Sequence, residues 1–458
     1  MAVVEKIVEG KVVSREFKEY IRDPNPDPGL DETIKRLTPE KIEKTIKGVI
    51  GGRSARIKAV LETCIHCGLC AEACQWYLSN DKDPTYAPVA KMRMTIWEMI
   101  KRDGKVDAEF IKQCARIVLT ECNICHRCSM YCPYGLDIAF IIGLVRRICF
   151  LLGVVPQRQM DQDQAHIVTL NQVWYSQNDW LDTMQWQEEE VGADFKDLRI
   201  PIDKEGAEVM WLPLGAEPKT TFHHIARHAK IMNVAGVDWT VPGKDVWDCS
   251  NMAMFLRDFA TQNRIVRGLF ANAARLRIKK FVMTECGHSR FATTYAAPPM
   301  LGWKELPFKL YQSIEFFHEL LMDGRIKIVR KIKEPVTIHD PCNLVRRAGA
   351  TEKFREMAYA TCEDVIEMYP NREHNFCCNA GGGLASLSNW TAHKARGNRV
   401  KAEQIKATGA KIVITSCHNC NTGIRDIIKY YGLNVKNIYF DEIITETMEI
   451  PEEMKVDQ

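Results

Sequence analysis

Residues 64–74 read CIHCGLCAEAC and residues 122–132 read CNICHRCSMYC, so one spacing, C-x2-C-x2-C-x3-C, occurs twice in the chain. No other feature restricts the fold as much, because it forces thiols from two distant segments to meet. Three thiolates at these intervals wrap one corner of an iron–sulfur cubane, and the fourth cysteine of each run crosses to the neighbouring cluster. The spacing assigns Cys64, Cys67, Cys70 and Cys132 to one [4Fe–4S] cluster, and Cys122, Cys125, Cys128 and Cys74 to a second. Pro133, directly after the second run, fits the same pattern. Zinc knuckles use four ligands in C-x2-C pairs and leave no role for interlaced thiols.

The chain holds 18 cysteines, and MAVVEKIVEGKVVSREFKEY at its start lacks the apolar core of a secretory signal. That combination points to metal rather than disulfides, and to a soluble, cytoplasmic protein. The longest apolar stretch, IAFIIGLVRRICFLLGVV at 138–155, is split by Arg146 and Arg147. It reads as an amphipathic or core helix rather than a membrane span. A net charge of +3 among 26% charged residues gives no electrostatic case for nucleic acid.

Between the two runs, apolar residues recur at helical intervals with one break at Gly104. Each run therefore sits between helices, which predicts an all-helical ferredoxin domain over 56–155 behind a cysteine-free arm at 1–55. Cys114 and Cys149 fall outside both motifs on apolar helical stretches and read as buried small hydrophobes. After Pro156 the texture turns polar, and 156–200 reads as an ordered connector carrying Trp174, Trp180 and Trp186. Those rings either pin the connector to the body or anchor a partner subunit.

Beyond residue 200 short β-branched runs alternate with helical patterns. EVMWLPLG, KKFVMTECG, EPVTIHDPC and AKIVITSCHNC read as buried strands ending in loops, an α/β layout in which strand carboxyl ends deliver function. RIKKFVMTECGHS at 277–289 aligns with GAKIVITSCHNC at 409–420, and WDCSNMA at 247–253 aligns with FCCNAGG at 376–382. The repeat predicts a duplicated domain with halves at 201–320 and 321–458. The second half can gather Cys342, Cys377, Cys378, Cys417 and Cys420, with Gly381, Gly382 and Gly383 letting backbone amides approach an inorganic core.

This C…CC…CxxC order resembles the CCG domain of the heterodisulfide reductase B/D family. Over 56–445 the whole arrangement is similar to the HdrD branch of that family and to its relatives DsrK and HmcF. The resemblance implies an α-helical two-[4Fe–4S] ferredoxin domain followed by an α/β duplicated CCG-type domain, with a noncubane [4Fe–4S] cluster on the five thiols. It further implies an oxidoreductase subunit of dissimilatory sulfur metabolism at the inner face of the membrane. There a cytochrome b-type partner subunit passes quinol electrons through two cubanes to a disulfide or trisulfide, the latter on a small sulfur-carrier protein. Two alternatives stand beside it: a relay-only subunit of the HmcF kind, and the iron–sulfur subunit of a flavin-linked hydroxyacid dehydrogenase. The chain itself shows neither a G-x-G-x-x-G fingerprint after a strand nor a Walker loop.

Two departures from the family pattern matter. Asn379 stands where the family has glycine, and asparagine tolerates the left-handed conformation better than most residues. The first half keeps only Cys249 and Cys286. Ser250 and Ser289 fall where the second half has Cys378 and Cys420, so one noncubane cluster is expected. Either Cys249, Cys286 and His288 are packed or partly exposed relics, or the lost ligands leave an open cleft for substrate, lined by Cys286 as thiol and His288 as proton donor. His339 and His418 flank cluster cysteines and either donate to sulfides or are structural. Arg346 and Arg347 either offset cluster charge or face solvent.

Overall fold

Helix signals in the amino-terminal part are local and strong. Asp107 accepts from the Phe110 amide to cap the helix Ala108–Thr120, and Asp137 caps Ile138–Leu152 in the same way. Gly153, at φ 76°, ends the latter. The computed structural model describes residues 27–456 apart from 193, 194, 197, 214, 245, 285, 297–301 and 303. The first 26 residues of the expected arm lie outside the described residues. Its remainder includes the helices Pro28–Ile34 and Pro39–Gly51.

Ile138–Leu152 packs on Ala108–Thr120 and Pro39–Gly51 as the centre of an all-helical core. Cys114 and Cys149 are buried there, and burial pushes the Cys149 thiol up to about 12, so both pack as small apolar groups. Among the described residues no single helix is long and apolar enough to cross a membrane.

The segment 156–200 does more than wrap the surface. It forms the helices Gln157–Thr169 and Gln177–Gly192. Trp180 is fully buried, stacks on Trp247 at 4.4 Å and donates its indole N–H to the Pro242 carbonyl at 2.9 Å. Trp174 and Trp186 are half-exposed. One ring of the three therefore carries the anchoring, and its helix belongs to the core of the first sheet.

Two four-stranded parallel sheets follow. The first holds β1 Val209–Leu212, β2 Trp239–Thr240, β3 Lys280–Met283 and β4 Lys309–Gln312, in the order β2-β1-β3-β4. The second holds β5 Val336–Ile338, β6 Val365–Ile366, β7 Ile412–Thr415 and β8 Lys436–Tyr439, in the order β6-β5-β7-β8. Registers correspond: Val209 pairs with Trp239 and Lys280, and Val336 pairs with Val365 and Ile412. β1 and β7 are buried along their whole length, as parallel strands covered on both faces must be. In each sheet the winding direction reverses at the central pair, β1/β3 and β5/β7. A crevice opens beyond the carboxyl ends of strands at such a point.

The two crevices face each other across a tight helix contact. Gly287–Phe291, after β3, packs on Cys342–Ala348, after β5. A Cβ on Gly287 would lie 3.1 Å from the Leu344 amide nitrogen, tighter than an ordinary contact, so glycine suits this close approach.

One side chain fastens the helical part to both sheets. Arg146 is fully buried, as a core helix requires. Its Nε donates to the Val118 carbonyl (2.8 Å), Nη2 to Cys122 (2.6 Å), and Nη1 to Phe255 (3.1 Å) and Gly382 (2.7 Å). Burial lowers its pKa only to about 10, so it stays charged at neutral pH. Arg146→Met strands those buried carbonyls and is expected to cost about 3–5 kcal/mol of stability, read by denaturant unfolding followed by circular dichroism. Lysine, which cannot fork, is expected to recover less than half of that. A loss below about 1 kcal/mol would mean the carbonyls find other donors.

Candidate iron–sulfur centres

The two cysteine runs share one backbone conformation. His66 and Gly68 flank Cys67 at φ 57° and 83°, and Ile124 and His126 flank Cys125 at φ 52° and 63°. Paired left-handed residues turn the chain around the middle cysteine, and three of the four are not glycine. Holding them there costs energy that a bound group can offset. Cys74, Cys122, Cys125 and Cys128, from the two different runs, line one cavity with Lys91 at its wall. Burial, and then the charges of Cys74, Cys64 and Cys67, push the Cys70 thiol up to about 12. Cys132 follows the helix Arg127–Met130, which packs on Leu69–Glu72 of the first run. The first group spans from exposed Cys67 to buried Cys70, and the four thiols of the second are all partly buried.

Cys342, Cys377, Cys378, Cys417 and Cys420 are all buried and pack as one cluster at the β5/β7 crevice. Cys342 opens the helix after β5, and Cys417 caps the helix after β7. Cys378 is held well below the ordinary thiol range by hydrogen bonds from Cys377 and Cys420, then by His339. Cys417 is held low by Cys286 and Cys420. Cys125 of the second run hydrogen-bonds with Cys377 and packs into the same cluster. The donor set fits iron–sulfur chemistry: a tetrahedral zinc on His339, Cys378 and Cys420 would leave Cys342, Cys377 and Cys417 unused.

Cys286 and His288 do not line an open cleft. Cys286 is fully buried, contacts Cys417, and accepts from the Ser289 amide at 3.5 Å and from Asn251 Nδ2 at 3.6 Å. His288 Nδ1 lies 3.4 Å from Asn419 Nδ2, and its ring stands edge-on to Phe255 at 4.7 Å. Both residues form the wall of the five-thiol site, because the Gly287 contact closes the two halves together. Cys249 packs against Cys286.

The glycine triplet also serves another purpose than expected. A Cβ on Gly382 would sit 2.7 Å from the Asn123 carbonyl oxygen, and one on Gly381 would sit 2.7 Å from His288 Cε1. The triplet lets the CCG-like loop press against the second cysteine run and against the first half. Asn379 adopts the left-handed conformation (φ 64°) and is held by Gln75 Nε2 at 3.0 Å. His418 Nδ1 meets Thr221 Oγ1 (3.4 Å) and Tyr439 OH (3.3 Å), so hydroxyls satisfy it. Arg346 donates to the carbonyls of Glu373 (2.6 Å), Cys125 (3.3 Å) and Asn375. Arg347 stacks on Phe291 at 3.8 Å.

Residues without a motif complete the arrangement. Arg127 Nε donates to the His374 carbonyl at 2.8 Å and Nη1 to Ala73 at 2.5 Å, joining both runs to the loop before Cys377. Lys401 is fully buried nearby. A separate trio, His224, His228 and Asp441, bridges the halves. His228 uses Nδ1 on the His224 carbonyl (2.8 Å) and Nε2 on Ser313 Oγ (2.8 Å), whose own proton goes to the Met283 carbonyl. With His224 Nδ1 against the Asp441 carboxylate, these bonds make the trio a hydrogen-bonded clamp between the halves.

Residues 60–136 match the 4Fe-4S dicluster domain family and residues 336–425 match the Cysteine-rich domain (CCG) family. A helical dicluster domain joined to a parallel-sheet CCG domain is an arrangement for which similar proteins carry iron–sulfur oxidoreductase names of the heterodisulfide reductase type. Within that class the chain is similar to the Hdr-like menaquinol oxidoreductase iron-sulfur subunit 2 of Archaeoglobus fulgidus, 24% identical over 408 residues, covering 78% of this chain and 72% of that protein. It is also similar to the HdrD component of the dihydromethanophenazine:CoB–CoM heterodisulfide reductase of Methanosarcina mazei, 24% identical over 379 residues (80% and 88%). EtfAB:quinone oxidoreductase of Syntrophomonas wolfei is 23% identical over 428 residues, covering 85% of this chain and 58% of that protein.

Beside Cys249 several buried polar groups lack hydrogen-bond partners among the described residues: Ser250 Oγ, Ser289 Oγ, Asn251 Oδ1 and both carboxylate oxygens of Asp163. Burial, then the charge of Asp258, push Asp163 up from 3.8 to about 7, with His166 opposing. Between those two values the unfolded chain loses the proton while the folded chain keeps it, so stability falls as pH rises and the loss is complete above pH 7. Asp163→Asn removes this penalty. Melting curves across pH 5–8 are expected to show a gain that grows with pH to on the order of 3 kcal/mol. A gain independent of pH would mean that Asp163 is ionised in the fold.

Proposed function

We propose that the chain is the iron–sulfur subunit of a membrane-associated redox complex, carrying electrons from a quinol-linked cytochrome b-type partner to a sulfur–sulfur bond. One observation carries this: an unbroken series of thiols runs from exposed Cys67, through the cavity of Cys74, Cys122, Cys125 and Cys128, to the buried five-thiol site by way of the Cys125–Cys377 contact. Cys64, Cys67, Cys70 and Cys132 hold one cubane, and Cys122, Cys125, Cys128 and Cys74 the second. Cys342, Cys377, Cys378, Cys417 and Cys420 hold a noncubane [4Fe–4S] cluster. Bound there, such clusters supply single-electron transfer and a surface on which a disulfide or trisulfide is reduced.

The exposed end suits a donor. Ile65, Leu69, Met130 and Tyr134 are exposed around Cys67 and give an apolar rim on which a partner subunit seats. Placement at the inner face of a membrane follows from that partner, as the quinol-linked relatives suggest by name. The buried end suits proton management. Reduction of RS–SR′ consumes two electrons and two protons and yields RSH and R′SH. In this reading His288 gives one proton to a departing thiolate and solvent the other, with Cys286 in the wall beside the second sulfur. A small thiol/disulfide substrate or the tail of a sulfur-carrier protein reaches these groups only if the halves part at Gly287. The relay-only reading is favoured by the closure itself, since each of the five thiols is buried.

Anaerobically purified protein is expected to carry on the order of twelve irons per chain, at four per cubane and a similar number for the third cluster. Cys377→Ser is expected to bring it to about eight; a wild-type value already near eight removes the third cluster. His288→Ala is expected to slow turnover of a disulfide or trisulfide about tenfold or more while leaving the cluster spectra as they were. Unchanged turnover retires the proton-donor role, and absent turnover in the wild type favours the relay.

A further inference from the structure

A buried cation beside the five thiols has no carboxylate partner among the described residues. Lys401, on the helix Arg399–Thr408, is fully buried. Its Nζ donates to Asn375 Oδ1 at 2.7 Å and to Gln404 Oε1, and lies 3.7 Å from the thioether sulfur of Met368. All three acceptors are neutral. The nearby carboxylate of Asp340 is already taken: Arg355 grips both its oxygens at 2.9 and 3.0 Å, and the Arg372 amide adds a third bond at 2.6 Å. By contrast, buried Lys394 has its carboxylate, Asp426, at 3.0 Å.

Such an arrangement is expensive. An unpaired ammonium taken out of water costs several kcal/mol and ordinarily loses its proton or its place. Burial works against its charge, and the groups that oppose burial there are Asp340, Cys377, Cys378 and Cys420; Met368, against which its ammonium lies, packs in one cluster with the five thiols. Asp340 is neutralised by Arg355, and the other three are cysteines at which an iron–sulfur cluster with thiolate ligands would bring net negative charge. The arginines of the region have other duties. Arg346 spends its donors on the carbonyls of Glu373, Cys125 and Asn375, on the side of the second cysteine run. Lys91 repeats the motif at the second cubane site, where it lines the cavity and donates to the Glu121 carbonyl.

We propose that Lys401 is the counter-cation of the five-thiol site, its ammonium placed to balance the negative charge of a cluster bound there and to raise that cluster's reduction potential. The assignment rests on the reading that these thiols bind iron and sulfide. Lys401 is a positioning residue of the site's electrostatics: its hydrogen bonds go to Asn375 and Gln404, and it reaches the thiols through space. Removing the charge favours the oxidised form, because reduction adds an electron to an environment that has lost a buried positive charge.

The test is a redox titration followed by EPR on the full chain, wild type against Lys401→Met, with the two cubane signals as internal references. Lys401→Met is expected to lower the reduced-to-oxidised ratio of the third centre at fixed applied potential by at least tenfold, ~59 mV for one electron. The cubane midpoints and the iron content are expected to stay put. Lys401→Arg, which keeps the charge, is expected to hold the midpoint near the wild-type value. A third centre that titrates alike in wild type and Lys401→Met overturns the proposal. If Lys401→Met fails to assemble the third centre, assembly in Lys401→Arg supports the charge role, and failure in both overturns it in favour of packing. A wild-type protein with no third centre sinks the iron–sulfur reading itself, a result distinct from any of these.

Discussion

A guanidinium with no access to water organises this molecule. Arg146 ends the search of peptide carbonyls from Val118, Cys122, Phe255 and Gly382 for a donor, and those residues come from the helical core, a cysteine run, the first half and the second. A planar fork with fixed angles leaves its acceptors little freedom in their mutual placement. The positions of the second cysteine run and of the loop after Cys378 are thereby set against each other before any metal is considered. The Cys125–Cys377 contact, and with it the continuity of the thiol series, depends on that placement.

The other basic residues divide along the same logic. Arg127 and Arg346 satisfy carbonyls that irregular loops leave over, since loops around a cluster cannot pair in sheets or helices. Lys91 and Lys401 face thiols and carry charge inward. Groups with several donors in a rigid plane tie backbone together, and compact point charges sit against sulfur. The fold is prepared in advance for an anionic occupant, which reduces the rearrangement needed when charge arrives.

What the sequence disclosed follows the range of the interactions involved. The cysteine runs were legible because cluster wrapping is local, and their shared left-handed residues lie within each run. β1, β3, β5 and β7 were legible as apolar runs ending in loops. The two-residue strands β2 and β6 are too short to show any period, and their existence depends on the neighbours they pair with. Arg146 was legible only as a break in an apolar stretch, and its role as a buried anchor was not. Its carbonyl partners are as far away as Gly382, and no spacing announces them. The cleft expected between the halves followed from counting lost ligands, whereas the halves meet at Gly287 in a contact that the missing Cβ eases. Among the three tryptophans of the connector, nothing in the sequence singles out Trp180 as the ring that meets Trp247.

The glycines at 381–383 bear on how such a protein can be divided. Their bare backbone is pressed against Asn123 of the helical part, His288 of the first half and Gln159 of the helix between them. A boundary that tight, without side chains to cushion it, behaves as interior rather than as a seam. The helical cluster-binding part is thus no interchangeable cassette, despite its self-contained motif. Transplanting it onto another scaffold, or exchanging it with that of a relative, would require the glycine surface and its mould to travel together. Lineages that recombine these parts are constrained to inherit them as a pair.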